Sequence, residues 1–113
     1  MAASIHIQNE ADIIESIEQY SVRGFADALE EIPLALATNS GYNAIQYVSD
    51  LKKQQVSTNC SFYGVDAMNT KNNNMLEEGI YESVMSKKQQ LQLATQVVKM
   101  ILKIDDVIAP SEY

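Results

Sequence analysis

Ser86-Lys-Lys-Gln-Gln-Leu-Gln-Leu-Ala-Thr-Gln-Val-Val-Lys-Met-Ile-Leu-Lys-Ile-Asp-Asp-Val-Ile108 is the stretch on which the fold turns. Ser86 and Gln89 have the spacing of a capping box, in which hydroxyl and amide each satisfy one orphan backbone donor, so a helix is expected to begin at Ser86. From there Leu93, Ala94, Val97, Val98, Met100, Ile101, Leu102 and Ile104 cover more than half the circumference. Lys88, Gln92, Thr95, Gln96, Lys99 and Lys103 line one narrow polar strip. Such a helix needs partners on several sides. Beyond Ile104 the helical period fails, and Pro110 disfavours the α region at Ala109, so an extended tail is expected.

Upstream, Ser16 to Ser40 reads as a second amphipathic helix, opened by the same Ser-x-x-Gln spacing at Ser16 and Gln19. Its apolar stripe is Val22, Phe25, Ala26, Leu29, Ile32 and Leu36. Pro33 lies inside the pattern, where it either kinks the helix or sits in the first turn of a restarted one. Asn39-Ser40-Gly41 supplies a left-handed stop. Asn43 and Gln46 open a shorter helix with the stripe Ile45, Val48 and Leu51, running to about Gln55. Residues 1–14 are divided: Ile5-His6-Ile7 alternates like a strand, Gln8 to Ile14 suits a helix, and helix is the expectation. Between Val56 and Glu82 the helical period disappears. Phe62, Tyr63 and Val65 around Gly64, then turn-like Asn69-Thr70-Lys71, predict a small β-hairpin, with the Asn72-Asn73-Asn74 run exposed and a turn at Gly79. The expected fold is mainly α, a bundle of three to four helices with a small β-hairpin.

The 113 residues suit one small unit, able to bury roughly two-thirds of its unfolded surface. An apolar fraction of 46% argues against wholesale disorder. A net charge of −7, with eight scattered basic residues, repels phosphates and anionic membranes, so neither nucleic acid nor membrane is an expected partner. No apolar run approaches the ~20 residues of a membrane span, and the N-terminus lacks the features of a signal peptide, which makes a cytoplasmic location the expectation. The lone Cys60 forms no internal disulfide and the lone His6 no paired-imidazole site. The four glycines, Gly24, Gly41, Gly64 and Gly79, are isolated, so no phosphate-cradling loop is present in this sequence. Asp105-Asp106 lacks the spaced ligands of a calcium loop, and Asp27, Glu30 and Glu31 fit a solvated helix face better than a metal or acid/base centre.

Two long motifs at matching separation carry a family likeness. Phe25-Ala-Asp-Ala-Leu-Glu-Glu-Ile-Pro-Leu-Ala-Leu-Ala-Thr-Asn-Ser-Gly41 resembles the long equatorial-domain helix of group II chaperonins, and Met100-Ile-Leu-Lys-Ile-Asp-Asp-Val-Ile108 the end of their last helix. Gly64-Val-Asp-Ala67 and Gly79-Ile-Tyr-Glu82 fall where the family has its hairpin and the turn before that helix. Lys87-Lys-Gln-Gln90 with Leu93-Ala-Thr-Gln96 resembles the epsilon type of the eukaryotic cytosolic chaperonin, TRiC or CCT. The likeness runs from about Ile7 onward, which sets Met1 to Ser4 apart as candidates for an appended scar.

The resemblance implies that residues 1–113 are a single fragment, the C-terminal part of an equatorial domain. The complete subunit would use ATP and Mg to assist folding of actin- and tubulin-class substrates, paired with other chaperonin subunits in a double ring and meeting unfolded proteins through other domains. It carries the adenine pocket onto Gly64, Asp66 and Ala67 and the ribose-contacting acid onto Glu82. Here Glu82-Ser83 departs from the commoner Asp-Pro, a longer acid that can still accept ribose hydroxyls. The plain alternative for these four residues is turn chemistry, Gly64 allowing a bend and Asp66 a local side-chain bond. The family's phosphate loop and magnesium-holding aspartates have no counterpart here, so the chain by itself is expected to show no usable ATP affinity, no hydrolysis and no metal site. Its uncovered apolar stripes imply self-association. The competing reading is a freestanding helical protein-interaction module.

Overall fold

The structure, a computed structural model, describes residues 1–110. The chain forms two compact units, Met1–Ile80 and the segment from Tyr81 onward. The first contains α1 (Ala2–Ala11), α2 (Glu18–Asn39), α3 (Ala44–Thr58) and an irregular loop from Cys60 to Ile80. The second contains α4 (Val84–Leu102). The mainly helical class is borne out, and the N-terminal segment is helical over Ala2–Ala11, ending before the expected Ile14.

In the first unit the stripe of α3 does much of what its spacing predicts, whereas of the α2 stripe only Ala26 is buried and Phe25, Ile32 and Leu36 are exposed. Val48, Leu51 and Gln55, spaced by three and four, are the buried face of α3, while Ile45 at the start of the expected stripe is exposed. Ala37 of α2 and Val65 of the loop join Val48 and Leu51 in the core, flanked by Leu34, Tyr42, Tyr47 and Tyr63. Small residues serve where backbones come close: Ala11 and Ala26 are fully buried, as is Ser4. Ser4 Oγ donates to Glu30 Oε1 at 2.5 Å, and the same oxygen accepts from Lys52 Nζ at 2.6 Å. This chain of contacts ties α1 to α2 to α3. An Asp12–Arg23 ion pair and a 3.2 Å bond from Gln8 Nε2 to Asp27 Oδ1 fasten α1 to α2 again.

The helix ends decide the loop's course. At the end of α2 the Gly41 N–H donates to Thr38 O and the Tyr42 N–H to Ala37 O, both at 3.0 Å, a Schellman closure with Gly41 at φ 85. Asn59, at φ 49, performs the same closure for α3. Gly79, at φ 72, closes a single turn, its N–H donating to Leu76 O and the Ile80 N–H to Met75 O. Pro33 lies inside an unbroken α2, so no restart occurs there.

Four expectations need correction. The Ser16–Gln19 box does not form: α2 has no side-chain cap, and Ser16 contributes its carbonyl to the Gln19 N–H at 3.1 Å. The final helix starts at Val84, because Ser83 is extended (φ −69, ψ 143) and its Oγ accepts the Ser86 N–H at 3.2 Å. Ser86 Oγ instead accepts from Gln90 Nε2. The hairpin shrinks to one antiparallel bridge, Tyr63 with Asn74, and there is no sheet among the described residues. The cause is local. Asn69 and Lys71 take positive φ, and side chains satisfy the backbone donors that a second strand would have paired. Within that arrangement Asn72, Asn73 and Asn74 are half-buried rather than exposed. Asn72 and Asn74 both donate to the Glu77 carboxylate, at 3.1 and 3.0 Å.

Candidate functional site

The loop from Val65 to Thr70 forms one wall of a cavity of about 280 Å³. Val65, Asp66, Ala67, Met68 and Thr70 line that wall, and Leu36, Met75, Glu78 and Ile80 complete it. Its surroundings are largely apolar, with acidic Asp66 and Glu78 at two points.

Asp66 explains the loop's shape. The residue is buried, and both carboxylate oxygens are engaged: Oδ1 accepts from the Thr70 N–H at 3.0 Å and the Thr70 hydroxyl at 3.3 Å, Oδ2 from the Lys71 N–H at 2.8 Å. Burial pushes this carboxyl up, but the bonds from Thr70, Lys71 and the Met68 backbone outweigh it and hold the group below its ordinary value. The side chain is therefore a loop closure, with no free oxygen for a metal or a proton transfer. What it offers a ligand is a fixed backbone path through Asp66 and Ala67.

Gly64 stands behind the wall and does not line the cavity. Its N–H donates to Asn73 O at 2.9 Å, and a Cβ added there would come within 2.6 Å of Met75 Cγ. The missing side chain is what lets Met75 lie against the loop and close the cavity. Thus Asp66 and Ala67 share the cavity wall, and Gly64 shapes it indirectly. Glu82 belongs to the second unit, where it is half-exposed and paired with Lys87 Nζ at 3.0 Å. The Lys87 hydrogen bond and charge hold its carboxyl below the ordinary range.

Leu36, Met75 and Ile80 were not singled out as site residues by their spacing. The available signal was weak: Met75 belongs only to the two-residue apolar run Met75-Leu76 in a polar stretch, and Ile80 follows the turn at Gly79. A larger, open groove of about 680 Å³ lies between α1, α2 and α3, with Ile5, Leu34, Ile45, Val48 and Val56 along its apolar floor. Among the described residues no group of three His, Cys, Asp or Glu could hold a metal ion. No helix among them is long and apolar enough to cross a membrane.

Comparison with known proteins gives this geometry a family. Over 109 residues the chain is 40% identical to the T-complex protein 1 subunit epsilon of Encephalitozoon cuniculi, covering 96% of the chain and 20% of that protein. It is 38% identical over 106 residues to a thermosome subunit of Methanothermococcus thermolithotrophicus, covering 94% and 20%. With a thermosome subunit of Methanopyrus kandleri the identity is 42% over 106 residues, covering 94% and 19%. The chain thus spans about a fifth of the length of the curated relatives it matches. The model of the TCP-1/cpn60 chaperonin family matches residues 1–112, and the chain belongs to that family.

Proposed function

We propose that this chain is the C-terminal equatorial part of an ATP-dependent, cytoplasmic chaperonin subunit, and that its cavity at Asp66 and Ala67 takes the adenine base. The observation that carries this reading is the cavity itself: a small, mostly apolar recess whose wall is a loop through Asp66 and Ala67 closed by the Asp66 carboxylate. Ligand cavities run from roughly 300 to 1,000 Å³, so this one suits a planar base rather than a whole nucleotide. Glu82 is the residue onto which the family resemblance carries the ribose-contacting acid, and within its own unit its carboxylate pairs with Lys87. The phosphates and Mg are held by residues outside this sequence, since both Asp66 oxygens are occupied and the four glycines are isolated. The chain alone accordingly turns over no ATP. In the complete subunit the partners are other chaperonin subunits in a double ring and unfolded proteins of the actin and tubulin class.

The test is a titration of the isotope-labelled chain with adenosine and with guanosine, read by amide resonances. Adenosine is expected to shift Asp66, Ala67 and Ile80 selectively, and guanosine to shift them less. Equal response to both nucleosides, or none to adenosine, overturns the reading.

A second role rests on a separate observation. No described residue of α4 is buried, and Leu93, Val97, Met100 and Ile101 are each more than half exposed. Contiguous apolar surface of this kind is a protein-interaction face. It also favours the alternative of a freestanding helical interaction module, which predicts no adenosine response. On either reading the chain self-associates through Val97, Ile101 and the face of Leu29 and Ile32, and sedimentation at tens of micromolar should return a dimer or larger. A monomer contradicts it.

A further inference from the structure

Tyr42 and Tyr47 lie outside the cavity lining, yet both reach the peptide that forms it. Tyr42 directly follows the Gly41 stop, its own N–H bonded to Ala37 O, which pins its ring to the end of α2. Tyr47 sits in the first turn of α3, its N–H bonded to Asn43 O at 2.9 Å. The two rings stack face to face, 4.2 Å between centroids and 6° from parallel. Both phenols then converge on one residue. The Tyr42 hydroxyl donates to Asp66 O at 2.9 Å, and the Tyr47 hydroxyl accepts the Asp66 N–H at 3.2 Å. Tyr47 spends its own proton on Asn73 Oδ1 at 2.7 Å, so its donor and acceptor capacities are both used. Asn73 in turn accepts the Gly64 N–H through its carbonyl.

We propose that Tyr42 and Tyr47 are positioning residues for the cavity, a stacked clamp that holds the Asp66 N–H and C=O and so fixes where Asp66 and Ala67 stand in its wall. The clamp rests on the reading of that cavity as the base site. Its logic is a division of labour around one residue. The Asp66 carboxylate closes the loop forward onto Thr70 and Lys71, while its N–H and C=O are anchored backward onto the helices. Stacking restrains the phenols, so each hydroxyl meets its partner without a large ordering cost at the moment of binding. Movement of α3 relative to the end of α2 would be felt at Ala67 through two hydrogen bonds.

Tyr42→Phe and Tyr47→Phe keep both rings and remove only the hydroxyls. Each is titrated with adenosine beside the wild-type chain, with helicity and the unfolding midpoint recorded in parallel. The expected result is adenosine affinity weakened about fivefold in Tyr42→Phe, the usual scale for one lost hydrogen bond, and more than that in Tyr47→Phe, with altered Asp66 and Ala67 amide resonances and intact helicity. Tyr42→Phe loses a single bond and keeps the question open to experiment should Tyr47→Phe, which loses two, fail to fold. Unchanged affinity in a folded variant, even with a lowered midpoint, overturns the clamp and leaves a purely structural pair. A wild-type chain that gives no adenosine response overturns the base-site reading and the clamp with it.

Discussion

Gly64 and Met75 show how a single hydrogen atom in place of a side chain shapes a cavity. Because an added Cβ would meet Met75 Cγ at 2.6 Å, Gly64→Ala must displace a side chain near its middle rather than at a free tip. Overpacking of that kind costs about 1–3 kcal/mol. Chemical denaturation should show that loss, and combining the change with Met75→Ala should cost less than the two separate effects summed, because the clash is then gone. Additive effects would mean that Gly64 acts through its backbone alone. At this scale the sequence was informative where a residue has a local job. Gly64 as a bend and Asp66 as the acceptor of nearby backbone donors were legible, whereas the meeting of Gly64 with Met75 and of two tyrosines with Asp66 depends on how α2 and α3 bring distant positions together.

Helices announced themselves by period, and their ends by chemistry that sometimes had two candidates. Ser83 and Ser86 both stand where a cap for α4 could be, and the three-residue spacing of Ser86 with Gln89 favours the wrong one. Ser83 wins because it precedes the first helical residue in an extended conformation and reaches the Ser86 N–H. Ser83→Ala should therefore cost about 1 kcal/mol of helix stability. Ser86→Ala should cost clearly less, since its hydroxyl only meets the exposed Gln90. Amide exchange over residues 84–87 measures the difference, and equal effects would contradict the assignment. The hairpin was overcalled for a related reason: Phe62, Tyr63 and Val65 have strand propensity, but Asp66 and the three asparagines bind the backbone donors first, leaving a lone bridge.

Over the whole molecule, the acid response follows from two carboxylates. Glu30 is pushed up by burial, but the hydrogen bonds from Lys52 and Ser4 and the Lys52 charge outweigh this and lower it, as the loop donors lower Asp66. A folded pKa below the ordinary carboxylate value means that the stabilisation is fully present above about pH 4 and is lost as pH falls through the lowered values. Denaturation midpoints should thus fall below about pH 4, with a shallower fall in Asp66→Asn. A midpoint that rises on acidification would contradict both assignments. Helix number and the apolar excess of α4 were readable from pattern alone. The cavity was not, because its lining comes from α2, the loop and Ile80, which no local period connects.

If the recess at Asp66 and Ala67 takes a base, photolabelling locates it there. The chain is irradiated with azidoadenosine, digested and mapped by mass spectrometry, with unmodified adenosine as competitor. The predicted result is label confined to peptides containing Leu36 or residues 65–80 and suppressed by adenosine. Label concentrated on the groove of Ile5, Leu34 and Val56, or insensitive to adenosine wherever it falls, would contradict the account.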